Sequence, residues 1–437
     1  MDQLKIARTL EEATPALQPE RPLESGDPRW EDFTPGRGTN AVSRLLKVLN
    51  RNPGGEFSRL VFTSHRGAGK STELKRLKHE LRHKYLCIYL EANVEMHATR
   101  IEIEDLLLVL AKAVTDELSK MGRALDKQLI GQVHQWFADT IESTSVGRTY
   151  LGKLDTSAKA GIKIPFLQLM AQLTALMKAE SKHKVEIKET LKKFPGSLMD
   201  AMNQLLDAAN EHLTVEGKQL LIMIDNMDRY NPAIIDELIT RNADRFQRLH
   251  CNLLLTPPIS LIYRPESATL EQNYICFTLP TIKLRDSDKP YTYLEAKGRN
   301  LLLSALAKRI DLDALIPEAA ARDKLVFGSG GSIRGLLELA YDATLEAESD
   351  TITQDDMVRV LGRRRHQLRD RMNANGLAPA LVFIAANHQL NDDPKCLQAM
   401  HLRLAFMYNG DGWHDIHPLL SSLDPFKQER SSLESST

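Results

Sequence analysis

Residues 61–72, Val-Phe-Thr-Ser-His-Arg-Gly-Ala-Gly-Lys-Ser-Thr, constrain the fold of this chain more than any other stretch. An apolar run passes into a loop with two glycines and then into a helical pattern that reaches about residue 82, the order strand, tight turn, helix. Gly67 and Gly69 permit positive φ and let main-chain N–H groups close on an anion. The helix that follows aims the positive end of its dipole at the same point. In this pattern the lysine, Lys70, reaches the β- and γ-phosphates of a nucleotide, and the Ser71 hydroxyl holds Mg²⁺. Ser64, His65, Arg66, Gly67, Ala68, Gly69, Lys70, Ser71 and Thr72 are therefore the candidate phosphate-binding set. The pattern departs from the full motif at Ser64, six positions before the lysine, where glycine is usual.

A second run, Leu220-Leu221-Ile222-Met223-Ile224-Asp225, is apolar throughout and ends in a carboxylate. Such runs belong to central parallel strands covered on both faces. An acid at the carboxyl tip projects into the crevice where open α/β sheets bind ligands. Asp225 is thus the second candidate metal residue, acting through water because Mg²⁺ keeps much of its hydration shell. The next position, where an acid would be placed to orient an attacking water, holds Asn226, a poor base. Asp228 is then the candidate for polarising water, although Asp228-Arg229 reads equally well as a helix N-terminal cap with a salt bridge.

Two further strings supply candidates. Asn252-Leu253-Leu254-Leu255-Thr256 reads as a strand, followed by Pro257-Pro258. Thr256 at its tip either meets the γ-phosphate or the attacking water, or caps the turn before the prolines. Gly328-Ser329-Gly330-Gly331-Ser332-Ile333-Arg334-Gly335-Leu336-Leu337 reads as a loop entering a helix with Arg334 in its first turn. Arg334 is either a surface arginine or one that reaches back from a lid to the γ-phosphate and reports its presence.

Together these strings resemble the AAA+/STAND branch of P-loop ATPases. The likeness is to bacterial ATPases with a His-Arg-Gly-x-Gly-Lys-Ser-Thr-Glu-Leu loop and an Ile-Asp-x-x-Asp-Arg strand end. Asp27-Pro28-Arg29-Trp30-Glu31-Asp32-Phe33 with Arg37-Gly38 resembles the opening segment of that group. Tyr408-Asn409 through Trp413, with Ile416-His417-Pro418-Leu419-Leu420, resembles its C-terminal module. The likeness spans about residues 25–425, apart from about 123–185. It implies ATP and Mg²⁺ as ligands, nucleotide-driven conformational switching and oligomerisation, often in genome maintenance or anti-phage defence. It also implies an α/β, three-layer P-loop sandwich with a parallel sheet ordered 5-1-4-3-2, then a helical lid and a small winged-helix-like module. Ser64 and Asn226 bear on the rate of hydrolysis more than on binding.

The 437 residues are enough for two or three domains. The expected divisions are a flexible arm (1–25), the ATPase domain (26–285) with a helical insert (about 123–190), the lid (286–374), the winged-helix-like module (375–424) and a disordered tail (425–437). A net charge of −1 argues against a uniformly nucleic-acid-binding surface. A local patch remains: Arg363, Arg364 and Arg365 offer a DNA, RNA or protein contact, or simply a solvated helix face. Arg241, Arg245 and Arg248 share a helical face and are candidates for an arginine supplied to a neighbouring subunit, or for plain exposure. No stretch is long and apolar enough to span a bilayer, and Cys87, Cys251, Cys276 and Cys396 show no metal spacing. A cytoplasmic protein without a membrane partner is expected. His414 and His417, beside Trp413 and Asp415, read as structural residues of a hairpin and the following helix. The segment 182–193 reads as charged and exposed.

Overall fold

The computed structural model describes residues 6–18, 22–96, 101–121, 171, 174–175, 182–193, 195–408 and 412–426. Its centre is a sheet of five parallel strands: β1 (Arg59–Ser64), β2 (Tyr85–Glu91), β3 (Gln219–Asp225), β4 (Asn252–Leu255) and β5 (Ile275–Leu279). The order β2-β3-β4-β1-β5 is the expected 5-1-4-3-2. Side chains alternate between faces with the period of two that a strand imposes. Leu60, Phe62, Leu221, Met223 and Leu254 pack on one side with Leu45, Leu49, Leu74 and Leu77 from the helices Ala41–Arg51 and Lys70–Glu80. Val61, Ile222, Ile224, Leu253 and Leu255 pack on the other with Leu106, Leu110, Leu205 and Leu206 from the helices Ile103–Lys120 and Pro195–Thr214. Both faces are covered, so the apolar runs of β1, β3 and β4 needed no polar side.

After β5 the chain becomes helical, with helices Ala296–Ala307, Ala319–Ser329, Ile333–Glu346 and Gln354–Ala374 around a second core. The first of these starts at Ala296 because the Glu295 carboxylate caps it by accepting the Gly298 N–H at 2.6 Å. A third core gathers helices Ala378–Asn387 and Pro394–His401 with an antiparallel hairpin of β6 (Ala405–Tyr408) and β7 (Trp413–Ile416). Residues 409–411 at the hairpin turn lie outside the described residues, as do the tail from 427 and 122–170 of the insert.

Two expectations change. Residues 6–18 are not a loose arm: Thr9 caps a helix, Leu10–Ala16, and Ala7, Ala13 and Leu17 are buried in the lid core. Ala7 donates its N–H to Arg309 O and accepts from Asp311 N–H, so this segment is stitched to the lid by main chain. The helix Lys182–Lys193 is not exposed all round. Ile187 and Leu191, four residues apart, bury one face, and the Lys188 ammonium is buried against Asp105. A lysine can lie in a core when its stem packs and its charge is paired. Among the described residues no helix is long and apolar enough to cross a membrane.

Candidate phosphate-binding site

β1 ends in the glycine loop, and the loop ends in the helix Lys70–Glu80. Gly67 has φ +89° and Gly69 φ +94°, the left-handed region that only glycine enters without strain. Gly69 is the residue preceding the first turn, so the free N–H groups of Lys70 and Ser71 open toward the loop. Lys70 Nζ is buried 2.8 Å from Asp228 Oδ2, and both side chains are more than nine-tenths buried. The ammonium makes no aligned hydrogen bond. Arg66 donates through Nε, at 2.8 Å, and through Nη2 to the main-chain carbonyl of Asp228. Ser64 Oγ donates to His65 O, Ala68 O accepts from Arg37, and Thr72 Oγ1 accepts the Leu23 N–H at 3.2 Å.

The acid at the tip of β3 is fully buried and heavily bonded. Asp225 Oδ2 accepts from Tyr89 Oη at 2.6 Å, while Oδ1 accepts from the Asn226 N–H at 2.7 Å and from Thr256 Oγ1 at 3.3 Å. Ser71 lies beside the same phenol. Burial first, and the Asp225 charge second, push the Tyr89 phenol far above its usual range, so it stays a donor. Thr256 therefore bonds the carboxylate and does not cap the turn before the prolines. Asp228 is likewise no helix cap, being the partner of Lys70.

Arg334 is half-buried at the cleft. Its N–H donates to Gly67 O at 3.1 Å, and its side chain lines the cleft above the loop. The turn at Gly330 and Gly331, φ +61° and +79°, delivers it there, and Ser332 caps its helix. The cleft is lined by the cations Arg29, Arg37, Arg66, Lys70, Arg229, Arg309 and Arg334 against the acids Glu31, Glu73, Glu91 and Asp228. Crowding shows in Arg309, whose pKa falls to about 10 through burial first and the neighbouring Arg29 second. Trp30 and Phe33 supply aromatic surface, and the Arg76 guanidinium stacks 3.8 Å from the Trp30 ring centre. The sequence reading did not single out Tyr89, Glu91, Trp30, Arg37 or Arg309 for the site. For Glu91 a signal existed, since β2 is an apolar run ending in a carboxylate, as β3 is.

The C-terminal hairpin sits on the loop from behind. Met407 N–H donates to His65 Nε2 at 2.8 Å, Thr281 N–H to Met407 O at 3.1 Å and Tyr408 Oη to Gly330 O at 2.9 Å. An imidazole nitrogen that accepts is unprotonated, and burial, helped by nearby His414, holds the His65 pKa down to about 3. Burial also lowers His414 to about 4 and His417 to about 3. In the unfolded chain a histidine titrates near ~6.5. Each of the three therefore takes up a proton on unfolding below that pH. Their stabilising contribution is complete above about pH 6.5 and is lost as the pH falls toward 3–4, at up to ~1.4 kcal/mol per pH unit per histidine. Denaturant midpoints measured from pH 7 to 5 should fall steadily, and a flat profile would contradict neutral burial. Asp415 in β7 is paired with Arg285 and accepts from Tyr291 Oη, so it ties the hairpin to the segment leaving the sheet.

Five of the six arginine candidates for outside contacts have side-chain partners within the chain. Arg363 pairs with Glu346, Arg364 with Glu338 at 2.6 Å, and Arg365 donates to Ser422 Oγ at 3.2 Å. Arg241 pairs with Glu237 and Arg245 with Glu104. Neither these two nor Arg248 lines the cleft.

No protein-family model matches the chain, and no curated protein does. Similar solved structures include the Aeropyrum pernix ORC2 protein in ADPNP–ADP complexes, at 12% identity over 96% of this chain and 98% of that one, TM-score 0.42. The Walker-type ATPase PABY2304 of Pyrococcus abyssi is similar at 13% identity over 93% and 99%, TM-score 0.40. The RuvB Holliday junction branch migration motor of Thermotoga maritima is similar at 13% identity over 92% and 98%, TM-score 0.36.

Proposed function

We propose that the chain binds Mg–ATP in this cleft and hydrolyses it, and that the γ-phosphate draws the helical lid onto the sheet. The observation that carries the proposal is Lys70, a buried ammonium at a helix N-terminus inside a loop of left-handed glycines, held by Asp228 without an aligned hydrogen bond. A buried charge costs several kcal/mol of lost hydration unless strongly paired, so the arrangement suits an anion that replaces Asp228. The residues fit the ligand. The cations of the cleft match a triphosphate, and the Ser71 hydroxyl with the Asp225 carboxylate offers the hard oxygen donors that Mg²⁺ takes. Held there, Mg²⁺ would offset charge on the β- and γ-phosphate oxygens.

The remaining work falls to the chain. Loop N–H groups and Lys70 bind the phosphates, and Trp30 and Phe33 give the base an aromatic wall. Thr256, Tyr89 and Asn226 orient Asp225 by donating to its oxygens. Arg334, already bonded through its main chain to the loop, carries the presence of the γ-phosphate into the lid. The family resemblance extends the proposal to self-association, in genome maintenance or anti-phage defence. A nucleic-acid contact through Arg363, Arg364 and Arg365 is the less supported reading, because those side chains already bond within the chain. Asp225→Asn tests the site. ATP affinity should change by less than about tenfold, while Mg²⁺-dependent turnover falls by about 10²-fold or more, the scale of losing one electrostatic group. Unchanged turnover would move the metal elsewhere.

A further inference from the structure

Resting on that reading, we propose that Glu91, at the tip of β2, is the carboxylate that takes the proton of the attacking water, and that Asn226 positions it. β2 and β3 are neighbours, and Glu91 stands directly opposite Asp225 in their register. Adjacent parallel strands lie about 4.8 Å apart, so the two carboxylates share the carboxyl edge where the ligand binds. Asn226 Nδ2 donates to Glu91 Oε2 at 2.9 Å, while its main-chain N–H donates to Asp225 Oδ1. One residue thus holds both acids. It does so with φ +63°, a left-handed backbone that costs most side chains about 1–2 kcal/mol and that asparagine tolerates best.

In this structure, without nucleotide, the other carboxylates at the cleft face cations. Asp228 pairs with Lys70, Glu73 with Arg76 and Arg37, and Glu31 with Lys308 and Ser304. Among the described residues Glu91 has a neutral amide as its partner and no cation. A carboxylate with no cation beside it breaks no ion pair when it takes a proton. In the step itself, the water oxygen bonds to the γ-phosphorus. The bond from that phosphorus to the β–γ bridging oxygen breaks, and its electron pair leaves with ADP. One water proton goes to the Glu91 carboxylate and from there to solvent, and the other stays on the phosphate. The acid expected directly after Asp225 is thus moved one strand over, and the amide at 226 takes its supporting place.

Glu91→Gln keeps the shape and can still accept from Asn226. Its kcat should fall at least about 10²-fold, the range of general-base loss, with ATP affinity within about threefold. Asn226→Gly keeps the left-handed backbone but removes the amide, and should lower kcat about tenfold at unchanged affinity, a split that a general loss of stability would not give. Turnover within threefold of the unsubstituted protein for Glu91→Gln overturns the proposal. So does ATP binding by the unsubstituted chain with no turnover at all, which leaves the binding site standing. An unsubstituted chain that fails to bind ATP overturns the earlier reading instead and takes this one with it.

Discussion

Lys70→Ala is expected to abolish stabilisation of the protein by Mg–ATP and to lower its stability without nucleotide. A ligand present at about a hundred times its Kd adds ~2.7 kcal/mol to a protein that binds it only when folded. Without the Lys70 ammonium that gain should vanish. The second effect follows from the pair itself. The Asp228 side chain is only 9% exposed and its countercharge is Lys70. Removing one partner of a buried pair costs roughly 3–5 kcal/mol, because the other is left charged and dry. The two effects separate in the double variant Lys70→Ala/Asp228→Asn, which should regain much of the intrinsic stability and none of the response to ATP. Thermal melts with and without Mg–ATP on the three proteins read both. An ATP response in Lys70→Ala equal to that of the unsubstituted protein would place the nucleotide elsewhere.

Gly331→Ala should be strongly damaging, because it combines backbone strain with a main-chain clash. The residue has φ +79°, and an added Cβ would fall 2.0 Å from the Ile282 carbonyl oxygen. Neither side can yield by turning a side chain, because main chain meets main chain and the Ile282 N–H bonds Gly331 O at 3.3 Å. Backbone strain of this kind costs about 1–3 kcal/mol before the clash is counted, so a total loss of at least ~3 kcal/mol is expected. The same turn presents Ser332 and Arg334 to Gly67, so the ATP response should weaken with it. Gly362→Ala is the control. It lies within the helix Gln354–Ala374 with nothing within 4 Å of an added methyl, and should stabilise by ~0.5–1 kcal/mol. Equal melting temperatures for the two variants would show that the turn is not under the constraint its geometry indicates.

The parts of this site that were legible in the sequence are those whose signal is local. The loop of Gly67 and Gly69 follows its strand and precedes its helix within a dozen residues, and Asp225 ends its own apolar run. The strands themselves were legible because each carried its own apolar run between turn residues, whereas their order came only from the family resemblance. What sequence alone could not supply were meetings across the chain. Lys70 with Asp228, Asn226 with Glu91, and His65 with Met407 depend on which strand tips and hairpins become neighbours. Residues 6–18 looked polar because Pro15 and the charges hide a stripe of apolar side chains, Ala7, Leu10, Ala13 and Leu17, that the lid covers. The basic helix Lys182–Lys193 misled for the opposite reason, since charge in the sequence does not say that Lys188 finds Asp105.

The most direct test is a calorimetric titration of Mg–ATP into the purified, unsubstituted protein. A single site per chain, lost when the titration is repeated with Lys70→Ala, is the predicted result. No binding by the unsubstituted protein, or binding of equal strength by the variant, would contradict the assignment of this cleft to ATP.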